Sequence, residues 1–149
     1  MKKYLFIFPL LILIGCSSSP ASQIKNSLEK ALENNGKHQR IIVNLSEITT
    51  FEWDTLFYFS PGFSQIEIEQ IIGVNSCDYN EFSYQMFFVE TDKKNLTFAS
   101  WRYSPERRIG VAIDTTMLKT DNNHALFYLE KDGDQLLLTP IDCNQLDIQ

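Results

Sequence analysis

Histidine, cysteine and basic side chains are scarce in this chain of 149 residues, which holds two, three and thirteen of them against nineteen acidic residues. The two histidines, His38 and His124, stand far apart, and neither a Cys-x-x-Cys nor a His-x-x-x-His occurs. The spacing that builds a zinc site is therefore missing. No metal or other cofactor is expected. A formal net charge of −6 repels phosphate backbones, which are bound by clustered Lys and Arg, so nucleic acid is not an expected partner. The apolar stretch from Tyr4 to Ile14 holds only eleven residues and is interrupted by Pro9, whereas a bilayer-crossing helix needs roughly 20. It does not read as a permanent span.

That stretch does have a place in a different pattern. Lys2 and Lys3 precede it and the small residue Gly15 follows it, the order of parts of a secretory signal. Leu13, Ile14, Gly15 and Cys16, followed by Ser17, Ser18, Ser19 and Pro20, resemble the lipobox of bacterial lipoproteins. The resemblance implies cleavage before Cys16, with the thiol of that cysteine taking a diacylglycerol group and its freed amine a further acyl chain. The alternative is an ordinary secreted protein with a cysteine near its cut site. Each buried CH₂ of a lipid contributes about 0.8 kcal/mol, and two chains suffice for a stable anchor. Ser17 in place of an aspartate resembles outer-membrane sorting in enteric bacteria. The expected location is the cell envelope, facing the periplasm from the outer membrane rather than the inner.

The expected organisation is a signal peptide over 1–15, a lipidated cysteine and tether over 16–22, and a single domain over 23–149. Loss of Lys2 and Lys3 from the thirteen basic residues leaves eleven against nineteen acidic ones, a mature net charge of −8. With lipid on Cys16, an even pair remains, Cys77 and Cys143, in a compartment where disulfides persist. A bridge between them would close a loop of roughly 66 residues and stabilise the fold by about 4 kcal/mol. Two free thiols are the alternative.

Hydrophobic periodicity predicts an α+β domain, with one antiparallel sheet of about five to seven strands and two short helices packed on it. Ile24, Leu28, Ala31 and Leu32 recur at helical spacing from Gln23, with Lys25 and Glu29 paired across the other face and Gly36 as a stop. Ser64 and Glu67 have the spacing of a capping box, ahead of Ile68, Ile71, Ile72 and a terminating Gly73. Strands are expected over Arg40–Leu45, Phe51–Phe59, Ser83–Thr91, Leu96–Tyr103, Ile109–Thr115, Ala125–Lys131 and Gln135–Ile141, with a hairpin loop at Asp92–Asn95 and a tight turn at Asp132-Gly133. The run from Phe51 to Phe59 with the helix ending Ile71-Ile72-Gly73 resembles small uncharacterised secreted proteins and lipoproteins of bacteria. That resemblance implies no activity.

Catalytic readings are poorly supported. Ser27 and Lys30 match the S-x-x-K of penicillin-interacting enzymes, but Lys119-Thr120-Asp121 is not the accompanying K-T-G and the chain is too short for that fold. Cys77 with His124 or His38 could form a nucleophile and base, although a disulfide would consume the thiol. Asp132 and Asp134 lack the register of a calcium loop. Arg102, Arg107 and Arg108 form a basic cluster on an acidic domain, and guanidinium groups bind carboxylate or phosphate well; the alternative is a solvated loop tip balancing Glu106. Trp53 and Trp101 fit either a core or a binding hot spot.

The function expected from these features is a membrane-anchored envelope protein that binds another protein as an accessory, inhibitor or immunity-type factor. An envelope hydrolase and a small-ligand-binding module are the alternatives.

Overall fold

The computed structural model describes residues 18–36, 40–75, 79–90, 95–104, 106–107 and 109–141. Cys16, Cys77, Cys143, His38 and Arg108 lie outside the described residues, as does most of the expected hairpin loop at Asp92–Asn95.

Helix α1 spans Pro20–Asn34 and begins three residues before the apolar periodicity does. The Ser19 hydroxyl accepts a hydrogen bond from the Ser22 N–H at 3.3 Å, and Pro20 supplies a first helical residue that needs no donor. Ile24, Leu28 and Leu32 form its buried face. Lys25 and Glu29 pair at 3.6 Å, a contact that contributes only a few tenths of a kcal/mol. Strand β1 (Ile41–Asn44) runs directly into the single turn α2 (Leu45–Ile48). Asn44 forces that change, because its side-chain oxygen accepts from the Ser46 N–H at 3.0 Å and starts a helix where the sequence pattern continued a strand.

Strand β2 covers only Thr55–Phe59. Helix α3 follows at Gln65–Ile72 and carries both halves of the expected capping box. The Ser64 N–H donates to Glu67 Oε2 at 2.8 Å and the Glu67 N–H donates back to Ser64 Oγ at 3.4 Å. Gly73 ends it in the left-handed conformation, φ 79°. The remaining strands are β3 (Ser83–Glu90), β4 (Asn95–Arg102), β5 (Ile109–Ile113), β6 (Met117–Asp121), β7 (Leu126–Asp132) and β8 (Asp134–Pro140).

The fold is α+β, but the expectation of one sheet with two helices is corrected. Among the described residues there are eight strands in two four-stranded sheets, ordered β1-β7-β8-β5 and β4-β3-β2-β6, with three helices. All pairings are antiparallel except β5 with β8. The two sheets and α1 close on one core, to which α1 gives Ile24, Leu28 and Leu32, the first sheet Val43, Phe127, Leu129, Leu136 and Leu138, and the second Leu56, Tyr58, Met86, Phe88 and Trp101.

Phe57, Phe59 and Phe87 point the other way, into a second cluster with Ile68 of α3. Successive strand residues face opposite sides, so β2 and β3 are apolar at both parities because their sheet is buried on both faces. The expectation of a single buried face fails for that reason. Ile71, expected on the packed face of α3, is 40% exposed, whereas Ile68 is enclosed.

Candidate functional site

The β7–β8 hairpin pairs Asp132 with Gln135, leaving Gly133 and Asp134 as its two-residue turn. Gly133 has φ 64°, a conformation that costs glycine little. Beside this turn, β5 starts at Ile109 and the last residues of β4 lead into Tyr103 and Ser104. A cavity of about 330 Å³ opens there, lined among others by Tyr84, Tyr103, Arg107, Ile109, Asp132 and Gln135.

The second sheet builds one wall. Tyr84 and Tyr103 meet edge to face with ring centroids 5.7 Å apart, an arrangement favoured by the ring quadrupoles. The Tyr103 N–H donates to the Phe82 carbonyl at 2.8 Å, which extends the β3–β4 ladder by one pair and brings Phe82 beside Tyr103. Phe82 is 64% exposed, Tyr103 43% and Ile109 41%. Arg107 enters from the β4–β5 connection, where its N–H donates to Ser104 Oγ at 3.3 Å.

Of the three expected arginines, Arg107 lines this cavity and Arg102 is exposed at the end of β4, immediately before Tyr103. The aromatic rim was not anticipated, since Phe82 and Tyr103 are neighbours only through strand pairing. The signal in the sequence was the apolar residue at each end of otherwise bounded strands. Trp53 and Trp101 are buried and belong to the core. The Trp53 indole N–H donates to Thr49 Oγ1 at 2.8 Å.

Comparison with family models, curated proteins and solved structures finds no match to this chain. Among the described residues, no group of three His, Cys, Asp or Glu side chains could hold a metal ion, and no helix is long and apolar enough to cross a membrane.

One acid–imidazole pair was missed by the sequence reading. His124 Nδ1 lies 2.8 Å from both carboxylate oxygens of Asp121. An imidazole oriented in this way can present its other nitrogen as a base. Asp121 Oδ1 also accepts from the N–H groups of Asn123 and His124, at 2.9 and 3.0 Å, so the carboxylate is primarily the lock of the β6–β7 turn. The adjacent Thr120 hydroxyl donates to the Asp121 carbonyl at 3.3 Å rather than towards the ring. Ser27 is half-buried on α1 and Lys30 is exposed. The proposed Cys77 pairings with His38 or His124, and the Cys77–Cys143 bridge, fall outside the described residues.

A second cavity, of about 480 Å³, lies beside the C-terminal end of α3, lined by Phe57, Ile72, Val74, Val89, Leu96 and Lys119 among others. The Lys119 ammonium sits 5.4 Å from the centre of the Phe57 ring.

Proposed function

We propose that this chain is a lipid-anchored envelope protein that binds another protein through the rim of the Arg107 cavity. The observation that carries the reading is that exposed Tyr103 and Ile109 line a cavity with Arg107, with exposed Phe82 paired to Tyr103 beside it. Aromatic residues and arginine dominate protein-binding hot spots, and a pocket at their centre accepts a partner's anchoring side chain. The guanidinium makes a carboxylate the favoured anchor. The partner is thus a folded protein offering an Asp or Glu from an apolar surface. An accessory, inhibitor or immunity-type role fits such a surface. The lipidated Cys16 and the Cys77–Cys143 disulfide belong to the same proposal.

A photo-reactive amino acid replacing Phe82 or Tyr103 in growing cells tests the site. Discrete adducts from both positions, lost on Arg107→Glu and absent from a control label at Ile66, are expected. Adducts of equal yield from Ile66, or adducts indifferent to Arg107→Glu, would overturn the assignment.

The 480 Å³ cavity favours a second reading, a module for a small ligand. Its size falls in the usual range for ligand pockets, and its apolar walls with one lysine suit an amphiphile bearing an anionic head. Saturable binding of a fluorescent fatty acid, weakened by Lys119→Glu, would support it over the first.

A further inference from the structure

We infer that the Arg107 cavity faces away from the membrane that holds the anchor, so its partner reaches it from the aqueous side. This inference rests on the proposed lipidation of Cys16 and on the cavity as the binding site.

Only Ser17 separates Cys16 from Ser18, and two residues reach at most about 7 Å. Ser18 is held to the domain, because its carbonyl accepts a hydrogen bond from the Gln23 side chain at 2.8 Å. Gln23 Oε1 in turn accepts from Thr50 Oγ1 at 2.8 Å. The start of α1 and the segment after α2 therefore form the end of the domain nearest the lipid.

Two elements measure the distance from that end to the cavity. Along α1, the far turn with Leu32 and Glu33 lies against Lys131 and Leu136 of the β7–β8 hairpin, around a shared hollow. Gln23 to Leu32 is nine residues of helix, about 14 Å. Along the first sheet, β7 starts at Leu126, paired with Asn44 just before α2, and ends at Asp132 on the cavity wall. Six residues of strand span about 20 Å. Both paths lead from the anchored end to the hairpin that borders the cavity.

Electrostatics favour the upright posture. The mature chain's charge of −8, eleven basic against nineteen acidic residues, is repelled by anionic headgroups, while a lipid surface attracts only clustered basic residues close to it. The hairpin that borders the Arg107 cavity lies roughly two Debye lengths along these paths from the anchored end, since the screening distance is about 8 Å at physiological ionic strength. With so short a leash, the attraction of Arg107 to lipid is too weak to tip the domain over.

The test uses the full lipidated chain in vesicles of phosphatidylethanolamine and phosphatidylglycerol. A benzophenone amino acid is placed at Ser22 or Thr50 on the anchored end, and at Lys131 or Asp134 on the hairpin end. After illumination, lipid adducts are expected from Ser22 and Thr50, and at Lys131 and Asp134 only the background given by a Cys16→Ser chain. Adducts from Lys131 and Asp134 matching those from Thr50 would overturn the orientation. The mass of the N-terminal peptide, read in the same samples, separates that result from failure of lipidation. An unlipidated Cys16 overturns the anchor and the orientation together.

Discussion

Trp101 occupies the space where Gly110 would carry a side chain. A Cβ on Gly110 would lie 2.6 Å from the Trp101 Cβ and 2.8 Å from two ring atoms. Gly110 also has φ 87°. The bare α-carbon lets β4, at the edge of one sheet, press on β5, at the edge of the other, directly below the Tyr103 and Ile109 walls of the cavity.

Gly110→Ala should therefore lose about 3 kcal/mol, combining left-handed strain of roughly 1–2 kcal/mol with overpacking of roughly 1–3 kcal/mol. Urea unfolding gives the value. A loss below about 0.5 kcal/mol, the range of ordinary surface substitutions, would mean that the two edges do not meet as described.

Tyr58 is fully enclosed, and among the described residues its hydroxyl has no hydrogen-bond partner. Burial pushes its pKa upward; the Ile113 backbone pulls more weakly the other way without completing a hydrogen bond. An unsatisfied buried polar group costs about 1–3 kcal/mol. Tyr58→Phe should keep the ring's packing and raise stability by about 1 kcal/mol. A clear loss in the same unfolding assay would reveal a partner for the hydroxyl.

The Ser64–Glu67 capping box holds α3 over Phe57 and Phe59. Ser64→Ala should cost about 1 kcal/mol and alter the near-ultraviolet dichroism of the aromatic cluster, while leaving the Arg107 cavity's adducts intact. Unchanged stability would show that α3 is held by packing alone.

Acid should erode stability through two carboxylates. The Ser64 hydroxyl and N–H hold Glu67 below its ordinary value of 4.5, and the hydrogen bond from His124 holds Asp121 below 3.8. A depressed carboxyl pKa means that the unfolded chain binds more protons in this range, so stability falls as pH falls. Their contribution is fully present above the ordinary values and is lost as pH drops through the lowered ones. Both groups are exposed, so the effect is small and reduced by salt. Denaturation midpoints between pH 6 and about 3 should fall less steeply in Asp121→Asn than in the wild type. An identical slope would remove Asp121 from the explanation.

Local chemistry made part of the fold legible in the sequence. The apolar face of α1, both halves of the α3 cap and the Gly133 turn depend on residues only a few positions apart; the first two appear as read, and the turn falls one residue later than Asp132-Gly133, because Asp132 still pairs with Gln135. Strand β6 was missed because Met117, Lys119 and Asp121 are exposed while Leu118 and Thr120 are only half-buried, leaving no apolar alternation. The division into two sheets depends on which strands pair, including the parallel match of β5 with β8. Such pairings join distant segments and leave no local signature. Phe51 and Trp53 were read as strand residues, yet they pack on Phe88 from an irregular segment. The arginines were visible as a cluster, but the rim around Arg107 required the Phe82–Tyr103 pairing to be known.

The proposed anchor, compartment and orientation all depend on Cys16. Mass spectrometry of the mature N-terminal peptide tests this most directly. The expected result is a chain beginning at Cys16 with diacylglycerol on its sulfur and an acyl group on its amine. An unmodified Cys16, or cleavage at another bond, would contradict it.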